Sequence, residues 1–256
     1  MKTLVYASHL DSPLKIPLVE YNLQRLKTFF DKIILVYSSI DKENIFLPSG
    51  FCGLNQNQIF LIPNKGYDFG KYKFGLEKSI SNSTSHAVII NDSVSVIQHP
   101  GQIFQKIDQL ITEGFQNIGI LSSNEIKTHY QSWCWILEKK AQDFCIKNIN
   151  TKLQDKQEVI INNEVDISNQ MILNFKSCSL FDSDTNIFYR DANLILKYIE
   201  SGFPFIKNNA FDDSFLVKEE LQFNQALTNP KYIDKTLLNL IVDYYEDKKK
   251  KLNIFT

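Results

Sequence analysis

The chain has 256 residues, 43% of them hydrophobic and 22% charged, with a formal net charge of -1. That length suits one large α/β domain, or one domain with a small helical appendage. The near-neutral charge removes the electrostatic case for a nucleic-acid partner, 19 Phe and 11 Tyr against only 9 Gly argue against disorder, and no apolar run reaches the length of a membrane span.

Taken in chain order, Thr3–Ser8 reads as a first strand, and Met1–Ser8 turns polar too soon for a signal peptide. Ile16–Phe30 carries Leu18, Leu23, Leu26 and Phe30 on one side of a helix, and Lys32–Ser38 is a strong strand. Ile59–Ile62 is a short apolar strand that ends in Asn64-Lys65-Gly66-Tyr67-Asp68-Phe69-Gly70 before a helix over Lys71–Lys78. A turn of that kind leaves free backbone N–H groups at the helix start, a setting that favours phosphate. A second buried strand, Ala87–Ile90, ends in Asn91-Asp92-Ser93. Polar residues delivered from the ends of two strands make a site in an open α/β sheet. Gln102–Glu113 reads as a helix, Ile118–Leu121 as a strand, Tyr130–Leu137 as an aromatic-rich strand and Lys139–Ile149 as a helix. Glu158–Ile161 reads as strand-like, followed by helices over Val165–Phe175 and Ala192–Glu200. Lys235–Tyr245 has the spacing of an amphipathic helix. Strands that alternate with helices imply a mostly parallel sheet covered on both faces.

Three clusters carry candidate chemistry. Asn91-Asp92-Ser93 stands where GT-A nucleotide-sugar transferases place an Asp-x-Asp motif, which positions a divalent metal under the leaving diphosphate. One carboxylate remains here, so Mg²⁺ or Mn²⁺ at Asp92 stays open, with Lys71, Lys73 or Lys207 as the cations that serve without a metal. His129, Gln131 and Trp133 suit the wall of a sugar pocket, since Trp offers a flat apolar face. The alternative is a half-buried strand in which Trp133 and Trp135 share one face and pack in the core. Glu164, in Asn163-Glu164-Val165-Asp166, stands where a helix opens and suits a general base, as does Asp166 by type. The plainer reading is an N-cap at Asn163 with acids in the first turn. Gly202-Phe203-Pro204-Phe205 reads as a structural turn, and Lys207 after it as a solvated lysine. Cys52, Cys134, Cys145 and Cys178 lack disulfide or zinc spacing and read as free thiols of a cytoplasmic protein.

Several segments in order resemble the rhamnan synthesis protein F family of bacterial polysaccharide glycosyltransferases. They are Asn64–Tyr72, Ile90–Ser93, His129–Trp133, the helix opening at Glu164 and Gly202–Lys207, within a span from about Leu4 to Phe211. The resemblance implies a GT-A-like, Rossmann-type α/β fold with a mostly parallel sheet flanked by helices. It divides the chain into a glycosyltransferase domain at 1–211, with a nucleotide-binding half to about 125 and an acceptor half from about 126, and a C-terminal helical extension at 212–256. It also implies a cytoplasmic inverting enzyme that transfers a sugar, dTDP-L-rhamnose being the favoured donor, to a cell-surface glycan acceptor on a lipid carrier. In that reading Asn64, Gly66, Asp68, Asn91 and Ser93 hold the nucleotide and its phosphates, Asp92 sits under the diphosphate, His129, Gln131 and Trp133 line the sugar pocket, and Glu164 is the base. UDP- and GDP-sugars remain alternative donors, as does a non-catalytic nucleotide-sugar-binding subunit of an assembly complex. Lys248–Lys251 beside Leu252, Ile254 and Phe255 is a solvated tail or a contact with an anionic membrane at the inner face of the plasma membrane.

Overall fold

The computed structural model describes residues 1–40, 45–80, 85–185, 192–211 and 233–253. The expected stretch at 212–232 and the lysine-rich side chains beyond Lys248 lie outside the described residues.

Strand β1 (Lys2–Leu10), helix α1 (Lys15–Leu26) and strand β2 (Lys32–Ser39) form the first unit. Strand β3 (Ile59–Leu61), helix α2 (Tyr67–Ser79) and strand β4 (His86–Asn91) form the second. The short strand β5 (Val94–Val96) and helix α3 (Gly101–Thr112) lead to strand β6 (Asn117–Ser123), then β7 (His129–Tyr130) and β8 (Cys134–Glu138). Helix α4 (Lys139–Asn148) is followed by α5 (Lys156–Val159), a π-helical stretch at Ile160–Asp166 and α6 (Ile167–Asn174). Strand β9 (Ser177–Ser183), helix α7 (Ala192–Glu200), strand β10 (Phe205–Lys207) and helix α8 (Lys235–Asn253) complete the described chain.

Eight strands form one sheet in the order β3-β2-β1-β4-β8-β6-β7, with β9 on the other edge of β6. Strands β3, β2, β1 and β4 are mutually parallel, and β9 is parallel to β6. β8 runs antiparallel between β4 and β6, and β7 antiparallel to β6. The expected α/β class and mostly parallel sheet are therefore present. All six residues of β4 are buried, as are six of the eight in β2, the continuous apolar pattern of strands covered on both faces. Helices α1, α3, α7 and α8 contribute to the cluster on one face, which includes Leu18, Leu23, Ile107, Ile195 and Ile241. Helices α2, α4 and α6 contribute to the other, with Tyr72, Ala141 and Met171. β5 and β10 pair as a separate antiparallel ribbon.

Three local expectations change. Glu158–Ile161 is helical rather than strand-like, because Asp155 caps α5 through the Glu158 N–H and the helix runs on. The aromatic run is broken: Gly119 pairs with Trp135 but Ser122 with Tyr130, so three steps on β6 match five on its neighbour. The two extra residues form a bulge at Gln131–Trp133. It puts Trp133 and Trp135 in the clusters on opposite faces, against the alternation expected for an unbroken strand. Phe205–Lys207 is a strand rather than a turn.

The C-terminal helix is built into the body. Asp234 accepts from the Leu237 N–H at the start of α8 and is gripped by Tyr21 and Arg25 of α1. Leu237 and Ile241 are fully buried in the same cluster as α1. We expect Ile241→Ala to cost about 2–5 kcal/mol, the usual range for emptying a core site, with one cooperative urea transition. A loss below about 0.5 kcal/mol, the surface range, would show that α8 opens separately.

Candidate active site

The sheet turns back on itself between β1 and β4. The chain winds from β1 outward to β2 and β3, then crosses to add β4 on the other side of β1. Such a reversal leaves a crevice at the carboxyl ends of the two central strands. Backbone pairing continues one residue past β4, from the Asp92 N–H to the Ala7 carbonyl at 3.0 Å, which sets the Asp92 side chain over the end of β1. Its Oδ2 accepts from the Ser8 hydroxyl at 2.6 Å and the His9 N–H at 2.9 Å, and it lies 3.0 Å from Lys15 Nζ.

Lys15 is the first residue of α1, where the helix dipole disfavours a cation. Its ammonium is nonetheless buried, donates to the His9 carbonyl at 2.9 Å, and stands 5.6 Å from the Tyr244 ring of α8. Burial alone lowers its pKa, but Asp92 and Asp11 outweigh that and raise it. Lys71, from α2, donates to Asn64 Oδ1 at 2.9 Å and to the Tyr67 carbonyl at 3.2 Å, and lies 3.7 Å from Asp68. Burial holds its pKa down despite Asp68 and Asp92. Lys207 arrives on β10, whose ribbon with β5 brings Nζ 2.9 Å from Ser93 Oγ and 5.8 Å from the Trp133 ring. It is not a solvated lysine: burial lowers its pKa to about 8, only partly opposed by Glu164 and Asp68.

The Asn64–Gly70 turn has the expected shape. Gly66 is left-handed at φ 67° and caps α2 with no side-chain acceptor, so backbone N–H groups of the first turn are open. A Cβ at Gly70 would stand 1.9 Å from the Lys65 carbonyl oxygen, so only glycine fits there. Asp68 accepts from Asn91 Nδ2 at 2.9 Å, and Asn91 Oδ1 accepts from both the N–H and the hydroxyl of Ser93. Asn64, Gly66, Asp68, Asn91, Asp92 and Ser93 thus meet at one end of the sheet.

Glu164 comes from the π-helical stretch, not from a helix opening. Asn163 is not its N-cap; the Asn163 amide instead bonds both the N–H and the carbonyl of Asn150. Glu164 Oε2 accepts from Ser132 Oγ at 2.5 Å, and Oε1 lies 3.8 Å from His129 Nε2. Asp166, the other acid of the right type, pairs with Lys127 at 2.8 Å.

His129, Gln131 and Trp133 do not form an open sugar-binding wall. They are 0%, 3% and 2% exposed. The bulge turns Trp133 inward against Phe203 and Phe205, and its indole N–H donates to Gln131 at 2.9 Å. His129 lies behind Glu164. At Asp92, the position expected for a divalent metal, Oδ2 already takes three donors, one an ammonium that repels a second cation. Among the described residues no three His, Cys, Asp or Glu side chains gather as a metal-binding group. Ser8, His9 and Lys15 were not singled out in the sequence. The signal for the first two was their place at the end of the first strand.

No family model matches the chain, and no curated protein matches it. Some solved structures are similar to it. One, from Desulfovibrio desulfuricans, is described as a nucleotide-diphospho-sugar transferase; it is 14% identical, with 95% of this chain and 97% of that chain covered and a TM-score of 0.47. A cytidylyltransferase from Leptospira borgpetersenii is 13% identical over 91% of this chain and 97% of its own, at 0.46. A Bacillus anthracis protein described as a glucose-1-phosphate thymidylyltransferase is 11% identical over 70% and 87%, at 0.47. Likenesses of this strength carry no functional argument, and the chemistry rests on the residues themselves. Among the described residues no helix is long and apolar enough to cross a membrane.

Asp92→Asn should lower stability by about 3–5 kcal/mol by stranding a buried ammonium, and adding Lys15→Met should restore most of it; urea unfolding of the two variants measures this. Lys207 behaves oppositely to a stabilising cation. The folded chain gives up its proton more readily than the unfolded chain, so its unfavourable contribution is full below about pH 8 and fades towards 10.5. Lys207→Met should therefore stabilise the protein at neutral pH and lose that advantage as pH rises through this window. An anion bound at Lys207 draws a proton in, so calorimetric affinity for inorganic diphosphate should fall as pH rises past about 8.

Proposed function

We propose that this protein is an inverting glycosyltransferase that moves a sugar from a nucleoside diphosphate to a hydroxyl group of a glycan acceptor. The observation that carries the reading is the meeting, at one end of the sheet, of a carboxylate held by Ser132 with a buried and a half-buried lysine, Lys71 and Lys207, that lack full neutralisation. Inverting transfer asks for these two elements. A base takes the acceptor proton as the new C–O bond forms. Fixed positive charge receives the diphosphate as it departs with the electron pair of the broken C–O bond, the largest developing charge in the reaction.

In this reading Glu164 is the base. Lys207 and Lys71 stabilise the leaving diphosphate, and Asp92 acts by holding Lys15 and the ends of β1 and β4 in place. Asn64, Gly66 and the open N–H groups of α2 border the phosphates, while Asp68, Asn91 and Ser93 hold that edge in register. Lysines that burial leaves partly unsatisfied gain from an incoming anion what they lost on folding. The ordered motifs shared with the rhamnan synthesis protein F family support dTDP-L-rhamnose as donor and a lipid-linked polysaccharide as acceptor, with a UDP- or GDP-sugar as the rival.

The test starts with thermal shift of the purified chain against dTDP, UDP, GDP and CMP, each with and without Mn²⁺. One nucleotide should stabilise the fold selectively by mass action, with no added effect of Mn²⁺. With the matching sugar nucleotide, Glu164→Gln should cut turnover by about 10²–10⁴-fold, the usual worth of a general base, and keep the nucleotide-induced shift. Unchanged turnover in that variant, or no shift with any nucleotide, would sink the reading.

A further inference from the structure

His129 is fully buried, and its two ring nitrogens have unlike surroundings. Nδ1 lies 2.7 Å from the Lys127 carbonyl oxygen. A carbonyl only accepts, so Nδ1 carries the proton. In the neutral ring Nε2 is then a bare lone pair. It has no hydrogen-bond partner, and the group it faces is Glu164 Oε1 at 3.8 Å. A lone pair pointed at a carboxylate in a dry setting is unfavourable, and a buried acceptor without a donor is uncommon. The contact becomes favourable when one proton lies between the two groups.

We propose that the general base is the Glu164–His129 pair rather than Glu164 alone, with His129 as a positioning residue that never touches substrate. This rests on the glycosyltransferase reading. As the acceptor oxygen bonds the sugar carbon and the diphosphate leaves, the acceptor O–H bond breaks and its proton goes to Glu164. Glu164 then shares it with His129 Nε2, converting the unfavourable contact into a hydrogen bond. Glu164, whose side chain is 18% exposed, later returns the proton to water and resets the pair.

The surroundings keep this proton local. Ser132 Oγ occupies the other Glu164 oxygen. The neighbouring charges are Lys127 and Asp166, already paired with each other at 2.8 Å, and Lys207 beyond Glu164. Helix α6 packs on β7 through Ser168, whose hydroxyl accepts from the Tyr130 N–H at 2.6 Å, and its residues carry no charge. The π-helical turn sets Glu164 at this distance, as such turns often do at functional positions.

The test is an NMR titration of the imidazole carbons in the full chain labelled at its 4 histidines, from about pH 5 to about pH 9, the range in which imidazole changes charge. His129→Gln assigns the signal. In Glu164→Gln the pH response of the His129 signal should change, because the adjacent carboxylate is removed. His129→Gln should also lower kcat about tenfold with KM unchanged and shift the acid limb of the pH–rate profile, a smaller loss than the ~10²–10⁴-fold of removing the base itself. A His129 titration unmoved by Glu164→Gln overturns the pair while leaving Glu164 as a lone base. A midpoint that moves in a chain with no Glu164-dependent transfer overturns the glycosyltransferase reading and the catalytic role of the pair with it.

Discussion

Much of this molecule is arranged around one buried ammonium. Lys15 stands where the α1 dipole repels it and where burial strips its water, so its charge persists because Asp92 meets it at 3.0 Å and Asp11 adds a second negative charge. That requirement ties distant pieces of chain together. Asp92 sits at the end of β4 and takes its other donors from Ser8 and His9 at the end of β1. The Tyr244 ring of α8 lies beside the same ammonium, and the Tyr244 hydroxyl donates to Asp11. The crevice at the sheet reversal therefore has a floor whose geometry is set by charge neutralisation, and the C-terminal helix is part of that floor.

The other lysines are less well matched. Lys71 has Asn64, a backbone carbonyl and a more distant Asp68, while Lys207 has a serine hydroxyl and the edge of an aromatic cluster. Both lose more by burial than their neighbours return, and their proton affinity falls. Cations in that state are suited to receive a diphosphate, since the incoming charge supplies what the protein withholds. A saturated Lys15–Asp92 pair and two unsaturated lysines differ in this respect: the first holds the shape, and the others keep charge that the protein does not fully neutralise.

Two irregularities place the side chains of the proposed base and its neighbours. The bulge at Gln131–Trp133 turns Trp133 into the core, where it supports Lys207, and brings Ser132 to Glu164. The π-helical stretch at Ile160–Asp166 sets Glu164 between Ser132 and His129. Neither departure belongs to a regular period, and both fall beside the same carboxylate. Such concentration of irregular backbone is what a positioned functional group requires.

The regular half of this architecture was legible in the amino-acid order. Continuous apolar runs at β1, β2 and β4 announce parallel strands covered on both faces. The glycines of Asn64–Gly70 announce a tight turn into α2, because a Cβ at Gly70 has no room. The polar residues after β3 and β4 were visible for the same local reason, and they do meet. What local pattern does not carry is the partner of each polar group. Whether Lys207 is solvated, whether Trp133 is wall or core, whether Asp92 faces a metal or an ammonium, and which side of Glu164 His129 occupies all depend on residues far away in the chain. Strand order, a two-residue bulge and one π-helical turn decided them, since burial and charge pairing are properties of the assembled fold.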